Sequence, residues 1–199
     1  MDLGEALRRR RMCRDFLDDP IDDTVLDTVL RAATRAPAAG NTWGLDLVVL
    51  AGADRDSYWD VALGADRAGF RWPGLLDAPV LVIPVVDPSA YAVRYAQPDK
   101  AASRLGGSPD DWPVPYWWID GGAAMMAMLL AAVEAGLGAL FFGQFGHEAD
   151  LGRRFGVPEG RRALGTVALG HPRPGGRNTS ASARRGRPDL RDVVHRGRW

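Results

Sequence analysis

Residues 116–138 read YWWIDGGAAMMAMLLAAVEAGLG, and the fold turns on how this stretch is buried. Between 119 and 135 only Asp120 and Glu134 carry charge, and Ala, Met and Leu, all strong helix formers, fill the interval. A helix that is apolar all round needs cover on nearly every side. The uncharged run from Gly121 to Val133 is shorter than the roughly 20 residues that span hydrocarbon. It is therefore expected to be a soluble core helix with no membrane role. Gly121, Gly122 and the alanines after them let another backbone come close. That backbone could belong to the same domain or to a second subunit, and the residues leave both open.

The chain has 199 residues, enough for one large domain or one domain with an excursion. A hydrophobic share of 46% excludes wholesale disorder. Lys+Arg and Asp+Glu balance at 25 each, so no global field recruits nucleic acid or a membrane surface. The basic residues are arginines apart from Lys100. A single cysteine, Cys13, excludes an internal disulfide framework and a cysteine-based zinc cluster. Met1 leads directly into charged sequence without an apolar signal region, so the expected location is cytoplasmic. The sequon Asn178-Thr179-Ser180 then receives no glycan.

Upstream of the apolar stretch, residues 2–12 read as a helix with Leu3, Ala6 and Leu7 on one face. It runs into Arg8, Arg9, Arg10, Arg11 and Arg14. A second helix is expected over 24–35, capped by Asp22 or Asp23. The small-residue loop 37–42 precedes a strand at 45–50, a surface helix at about 55–63 and a buried strand at 80–86. Pro84 suggests an edge or a strand end there. Residues 87–115 mix Pro, Gly, Asp and aromatics without a sustained period, the pattern of a lid or binding excursion. Downstream, strands are expected at 139–142 and 164–169, with a short helix at 149–155 between them. A basic Gly/Ser-rich stretch then leads to a C-terminal arm, about 173–199, with Trp199 as a terminal aromatic anchor.

For catalysis the sequence offers little of the usual kind. His147, His171 and His195 have no ligand-like spacing, so no metal site is expected. Cys13 stands among arginines that would favour its thiolate, yet no partner histidine is evident. No phosphate-binding Gly-rich loop joins a strand to a helix, and no nucleophile elbow is present. What remains is an anion site. Arg10, Arg11 and Arg14, with Arg184, Arg185 and Arg187, could surround one phosphate, because guanidinium forks bind phosphate bidentately. With zero net charge and no nucleic-acid motif, the phosphate of a small cofactor is favoured over nucleic acid.

Four blocks, in order and covering most of the chain, resemble the FMN-dependent nitroreductases. They are Arg10-Arg11-Met12-Cys13-Arg14-Asp15-Phe16 with Pro20-Ile21; Ala36-Pro37-Ala38-Ala39-Gly40-Asn41-Thr42; Ile119-Asp120-Gly121-Gly122-Ala123-Ala124-Met125 with Gly136-Leu137-Gly138; and Gly170-His171-Pro172 with Arg187-Pro188. The resemblance implies one α+β domain over 1–199, a mostly antiparallel central sheet flanked by helices. It also implies a homodimer built around the long central helix, with two FMN sites at the interface. Arg10 and Arg11, joined by Arg187 and Arg185, would hold the phosphate, and Arg14 would sit near flavin N1/C2. Pro37, Ala38, Ala39 and Asn41 would reach the flavin from the partner subunit. Phe141, Phe142, Gly143 and Gln144 would line the ring, with a backbone N–H of Gly143 or Gln144 facing N5.

Three positions depart from the family pattern. Met12 and Ala38 stand where it has serines, so Met12 would serve the phosphate through its backbone, and Trp43-Gly44-Leu45 replaces its Gln-Pro-Trp. The implied activity is hydride passage from NADH or NADPH through flavin N5 to an electron-poor small molecule, a nitroaromatic or quinone, in a ping-pong cycle. No side chain is then needed as nucleophile. Tyr91, Tyr95, Trp112 and Trp117 are candidates for the acceptor pocket. The alternatives are a flavin-sequestering or regulatory protein with little turnover, and a flavin-remodelling or dehalogenating member of the family.

Overall fold

A computed structural model of the chain describes residues 1–176 and 185–199. Arg184 and the sequon at 178–180 lie outside the described residues. Seven helices occur among those described: α1 (Leu3–Arg9), α2 (Asp23–Ala33), α3 (Ala53–Leu63), α4 (Pro88–Tyr95), α5 (Tyr116–Glu134), α6 (Glu148–Arg154) and α7 (Leu190–Val193). The strands are β1 (Leu45–Ala51), β2 (Val80–Val86), β3 (Gly138–Phe142), β4 (Arg162–Ala163) and β5 (Thr166–Gly170). They form one antiparallel sheet in the order β1-β2-β5-β3, with β4 also on β2. This is the α+β architecture expected of the chain.

The sheet has two covered faces because side chains alternate along each strand. Leu81, Ile83 and Val85 point with Leu140 and Ala168 into one core, closed by Tyr58, Trp59 and Leu151. Val80 and Val82 point with Ala139, Val167 and Leu169 into the other, closed by α2 and α5 through Val29, Ala33, Ala124, Met128, Leu129 and Ala132. Two expectations need correction here. The helix at 53–63 is no surface helix, since Tyr58 and Trp59 are among the largest fully buried side chains of the described chain. Pro84 lies in the interior of the sheet, paired with Leu47. It is tolerated because its carbonyl accepts from Leu164 N between β4 and β5. The missing N–H points the same way, into the break between those two strands.

The long helix ends where its glycines allow. At its C-terminus Leu137 N donates to Ala132 O and Gly136 N to Val133 O, a Schellman closure with Gly136 at φ 75°. The chain can then drop straight into β3. Yet α5 is not covered on every side. Trp117, Gly121, Ala124, Met128, Leu129 and Ala132 are buried on its inner face, while Ile119 is 52% exposed and Gly122 has no neighbour within 4 Å of an added Cβ. By length and composition α5 could cross a membrane, and in this fold it lays one face against α2, β2 and β3.

The first helix is shorter than expected, ending at Arg9, and leaves Leu3 and Leu7 exposed beside α5. Residues 87–115 are built rather than loose. Asp87 caps α4 by accepting from Ser89 N and Ala90 N, with Pro88 in the first turn. Tyr91, Trp112 and Trp117 pack edge to face as a small core of their own. At the other end of the chain, Leu190, Val193 and Trp199 are exposed, and the Trp199 ring lies only against His195, at 4.3 Å, among the described residues, so it does not anchor the arm to the core.

Candidate functional site

After α1 the chain turns extended at Arg10 and runs alongside β3, where Cys13 N donates to Ala139 O at 2.9 Å. Gly138 permits this passage, because a Cβ there would come within 2.8 Å of Cys13 Sγ. Further along, Phe16 N donates to Gly74 O and Leu17 N to His171 O. Arg173 ties the same leg down through Asp15, Asp77 and the Phe16 carbonyl. Residues 10–17 are thus stitched to three distant segments, which fixes where their arginines emerge.

Those arginines differ. Arg10 is half-buried, and its Nη1 is buried with no hydrogen-bond partner among the described residues. Burying a charged donor without an acceptor is costly, so this atom could hold an anion. Arg11 is exposed and turns its Nη1 back onto the Arg8 and Arg10 carbonyls. Arg14 donates to Met12 O and lies over the Trp72 ring at 5.6 Å.

Arg14 also lines a cavity of about 370 Å³ whose far wall is Phe141, Phe142, Gly143 and Gln144. Trp59, Phe70, Trp72 and Phe145 complete it. A largely apolar, aromatic-rich cavity with a cation on its wall suits a heteroaromatic ring that gains negative charge. Gln144 is buried, its amide donating to Thr166 Oγ1 at 3.1 Å, and Thr166 in turn meets the Tyr58 hydroxyl at 2.7 Å. Burial pushes the Tyr58 phenol up to about 12, against the opposing Thr166 hydrogen bond. The network holds the cavity floor rigid.

The loop at 37–44 lies elsewhere. Pro37, Ala38 and Asn41 line a second cavity of about 550 Å³, with Tyr91, Asp120 and Gly121. Of the expected cofactor residues, Arg14 and 141–144 thus line one cavity and Pro37, Ala38 and Asn41 another, while Arg10, Arg11, Met12, Ala39, Arg185 and Arg187 line neither. The 39–41 turn puts Gly40 at φ 63° and Asn41 at φ 55°. Asp120 Oδ2 accepts from Ala39 N at 2.7 Å and from the Tyr91 hydroxyl at 2.9 Å. Burial, and then the Asp120 hydrogen bond and charge, raise the Tyr91 phenol far above the ordinary tyrosine range, so it stays a donor.

Of the aromatics expected around an acceptor, Tyr91 alone lines this second cavity. Tyr95 lies against Gly40, and Trp112 and Trp117 are each 8% exposed inside the aromatic core. Arg185 and Arg187 are exposed. Cys13 reverses its expectation: burial pushes its thiol up, outweighing the nearby Arg14, and Sγ donates to the Asp15 carbonyl at 3.3 Å. No cluster of metal-binding side chains occurs among the described residues. Asp120, Arg94 and Trp72 were missed from the sequence. For Asp120 the signal was present, a lone carboxylate near the start of an apolar helix.

The model of the nitroreductase family matches residues 7–171, and the chain belongs to that family. Among solved structures, a nitroreductase family protein from Clostridium difficile 630 superposes with a TM-score of 0.72 at 20% identity, covering 100% of both chains. An FMN-dependent nitroreductase from Clostridium difficile R20291 gives 0.70 at 17% identity over 99% of this chain and 100% of the other. A protein from Desulfovibrio desulfuricans described as a nitroreductase, solved in complex with FMN, gives 0.69 at 23% identity over 98% and 95%. At these identities the likeness is one of fold. No curated protein matches the chain in sequence.

Proposed function

We propose that the protein is an FMN-dependent NAD(P)H oxidoreductase, a single cofactor-binding domain per chain acting as a homodimer in the cytoplasm. The observation that carries this reading is the buried Arg10 Nη1, without a hydrogen-bond partner among the described residues, on the same leg as Arg14, which lines the aromatic cavity with Phe141, Phe142, Gly143 and Gln144. A buried guanidinium nitrogen suits a phosphate, and the aromatic cavity beside Arg14 suits a ring. Arg10 would hold the phosphate, with Arg11, Arg185, Arg187 and the backbone at Met12 as secondary contacts. Arg14 would steady negative charge on the ring, and Phe141, Phe142, Gly143 and Gln144 would bound it. FMN, when bound, supplies the two-electron chemistry that connects NADH or NADPH to an electron-poor acceptor such as a nitroaromatic or a quinone.

The pairing of subunits is supported by what one subunit leaves bare. The outer face of α5, with Ile119 and Gly122, and the neighbouring Leu3 and Leu7 form an apolar surface. The 37–41 turn sits in a different cavity from Arg14, which suits a site completed by the partner's turn. Purified protein is expected to be yellow, and its released chromophore to be FMN by mass. A chain that neither carries flavin nor takes it up from solution contradicts the proposal.

A further inference from the structure

We propose that Asp120, Tyr91 and Arg94 are positioning residues that lock the 38–41 turn in its left-handed form, so that α4 is a fixed buttress of the site. The inference rests on reading that turn as a cofactor contact, as above.

Gly40 and Asn41 are consecutive left-handed residues, and for Asn41 that conformation costs on the order of 1 kcal/mol unless its surroundings hold it. Local bonds hold part of the turn: Asn41 N to Ala38 O at 2.9 Å, and Thr42 Oγ1 to Ala39 O at 2.6 Å. Two further backbone groups of the turn are held by α4 and α5. On one side the Asp120 carboxylate accepts from Ala39 N. On the other, Arg94 Nε donates to Gly40 O at 2.7 Å while its fork grips Asp99. Opposite charges therefore grasp the turn by a donor and an acceptor, and charge-assisted bonds of this kind are stronger than neutral ones.

Tyr95 fills the space beside Gly40, where an added Cβ would lie 2.7 Å from its ring. Asp87 N donates to Gly44 O, closing the far end of the loop. Tyr91 joins the two supports, because its hydroxyl meets Asp120 and its ring packs on Trp112 and Trp117. Swinging α4 away would break the Arg94, Tyr95, Tyr91 and Asp87 contacts together. The segment expected to be a lid is braced, and its aromatics brace it.

The test compares Asp120→Ala, Asp120→Asn and Arg94→Ala with the wild-type protein. Hydrogen exchange reads the Ala39 amide, and titration with FMN reads affinity and the shape of the visible flavin band. Asp120→Ala and Arg94→Ala should each weaken FMN binding about tenfold and alter the band, with the Ala39 amide unprotected in the former. Asp120→Asn should restore most of both, since an amide oxygen can accept the same two hydrogen bonds. Arg94→Ala removes a partly exposed side chain, so it tests the lock even if Asp120→Ala fails to fold. Wild-type affinity in both alanine variants, or an Ala39 amide equally protected without the carboxylate, overturns the lock. A wild-type chain that takes up no FMN overturns the functional reading instead, and Ala39 exchange still decides whether the lock exists.

Discussion

Arg10→Ala is expected to give a folded protein that has lost its yellow colour. The Arg10 guanidinium already has a buried nitrogen with no partner among the described residues, so removing it leaves no new unpaired group in the subunit. What is lost is the contact to an anion. A charge-assisted contact of about 3 kcal/mol corresponds to roughly 150-fold in affinity, enough to strip the cofactor during purification. Arg11→Ala should cost less, because Arg11 spends a donor on the Arg8 and Arg10 carbonyls. The double variant should be colourless, with its melting temperature close to that of cofactor-free wild type. Undiminished colour in the double variant refutes the phosphate assignment.

The second large effect concerns neighbouring glycines on α5. A Cβ at Gly121 would sit 2.8 Å from Leu164 and 3.0 Å from Val86, so Gly121→Leu overpacks the subunit itself. The expected loss is about 1–3 kcal/mol or more of stability. Gly122 faces outward with nothing within 4 Å, so within the subunit a large side chain meets no obstacle there. Replacing a mid-helix glycine even favours the helix by roughly 0.5–1 kcal/mol. Gly122→Trp should therefore fold, but sediment as a monomer and bind no flavin, because neither cavity is completed alone. Loss of flavin with the dimer intact, or a monomer that stays yellow, argues against shared sites.

These two predictions also mark how far the sequence could be read. The long helix, its glycine closure and the main strands were legible because their signals are local: apolar runs, caps and period. The arginine-bearing leg was legible through its motif, as was the loop at 37–42. What escaped were properties set by distant packing. Tyr58 and Trp59 looked like surface residues because α3 lacks a clear apolar stripe, yet the sheet face needs them as its cover. Pro84 looked like an edge because the break between β4 and β5 that excuses it lies some 80 residues on in the chain, at Leu164. Cys13 looked reactive because arginines adjoin it in sequence, and burial against Gly138 decides otherwise. The segment at 87–115 looked irregular although Asp87-Pro88 announces a capped helix.

The central claim is that this chain uses bound FMN to carry electrons from a nicotinamide. The most direct measurement mixes the purified yellow protein anaerobically with NADH and, separately, with NADPH while following the visible flavin absorbance. The account predicts that at least one of them bleaches the flavin and that adding a quinone or nitroaromatic restores it. Bound FMN that neither nicotinamide reduces would contradict the account and leave a protein that holds flavin without turning it over.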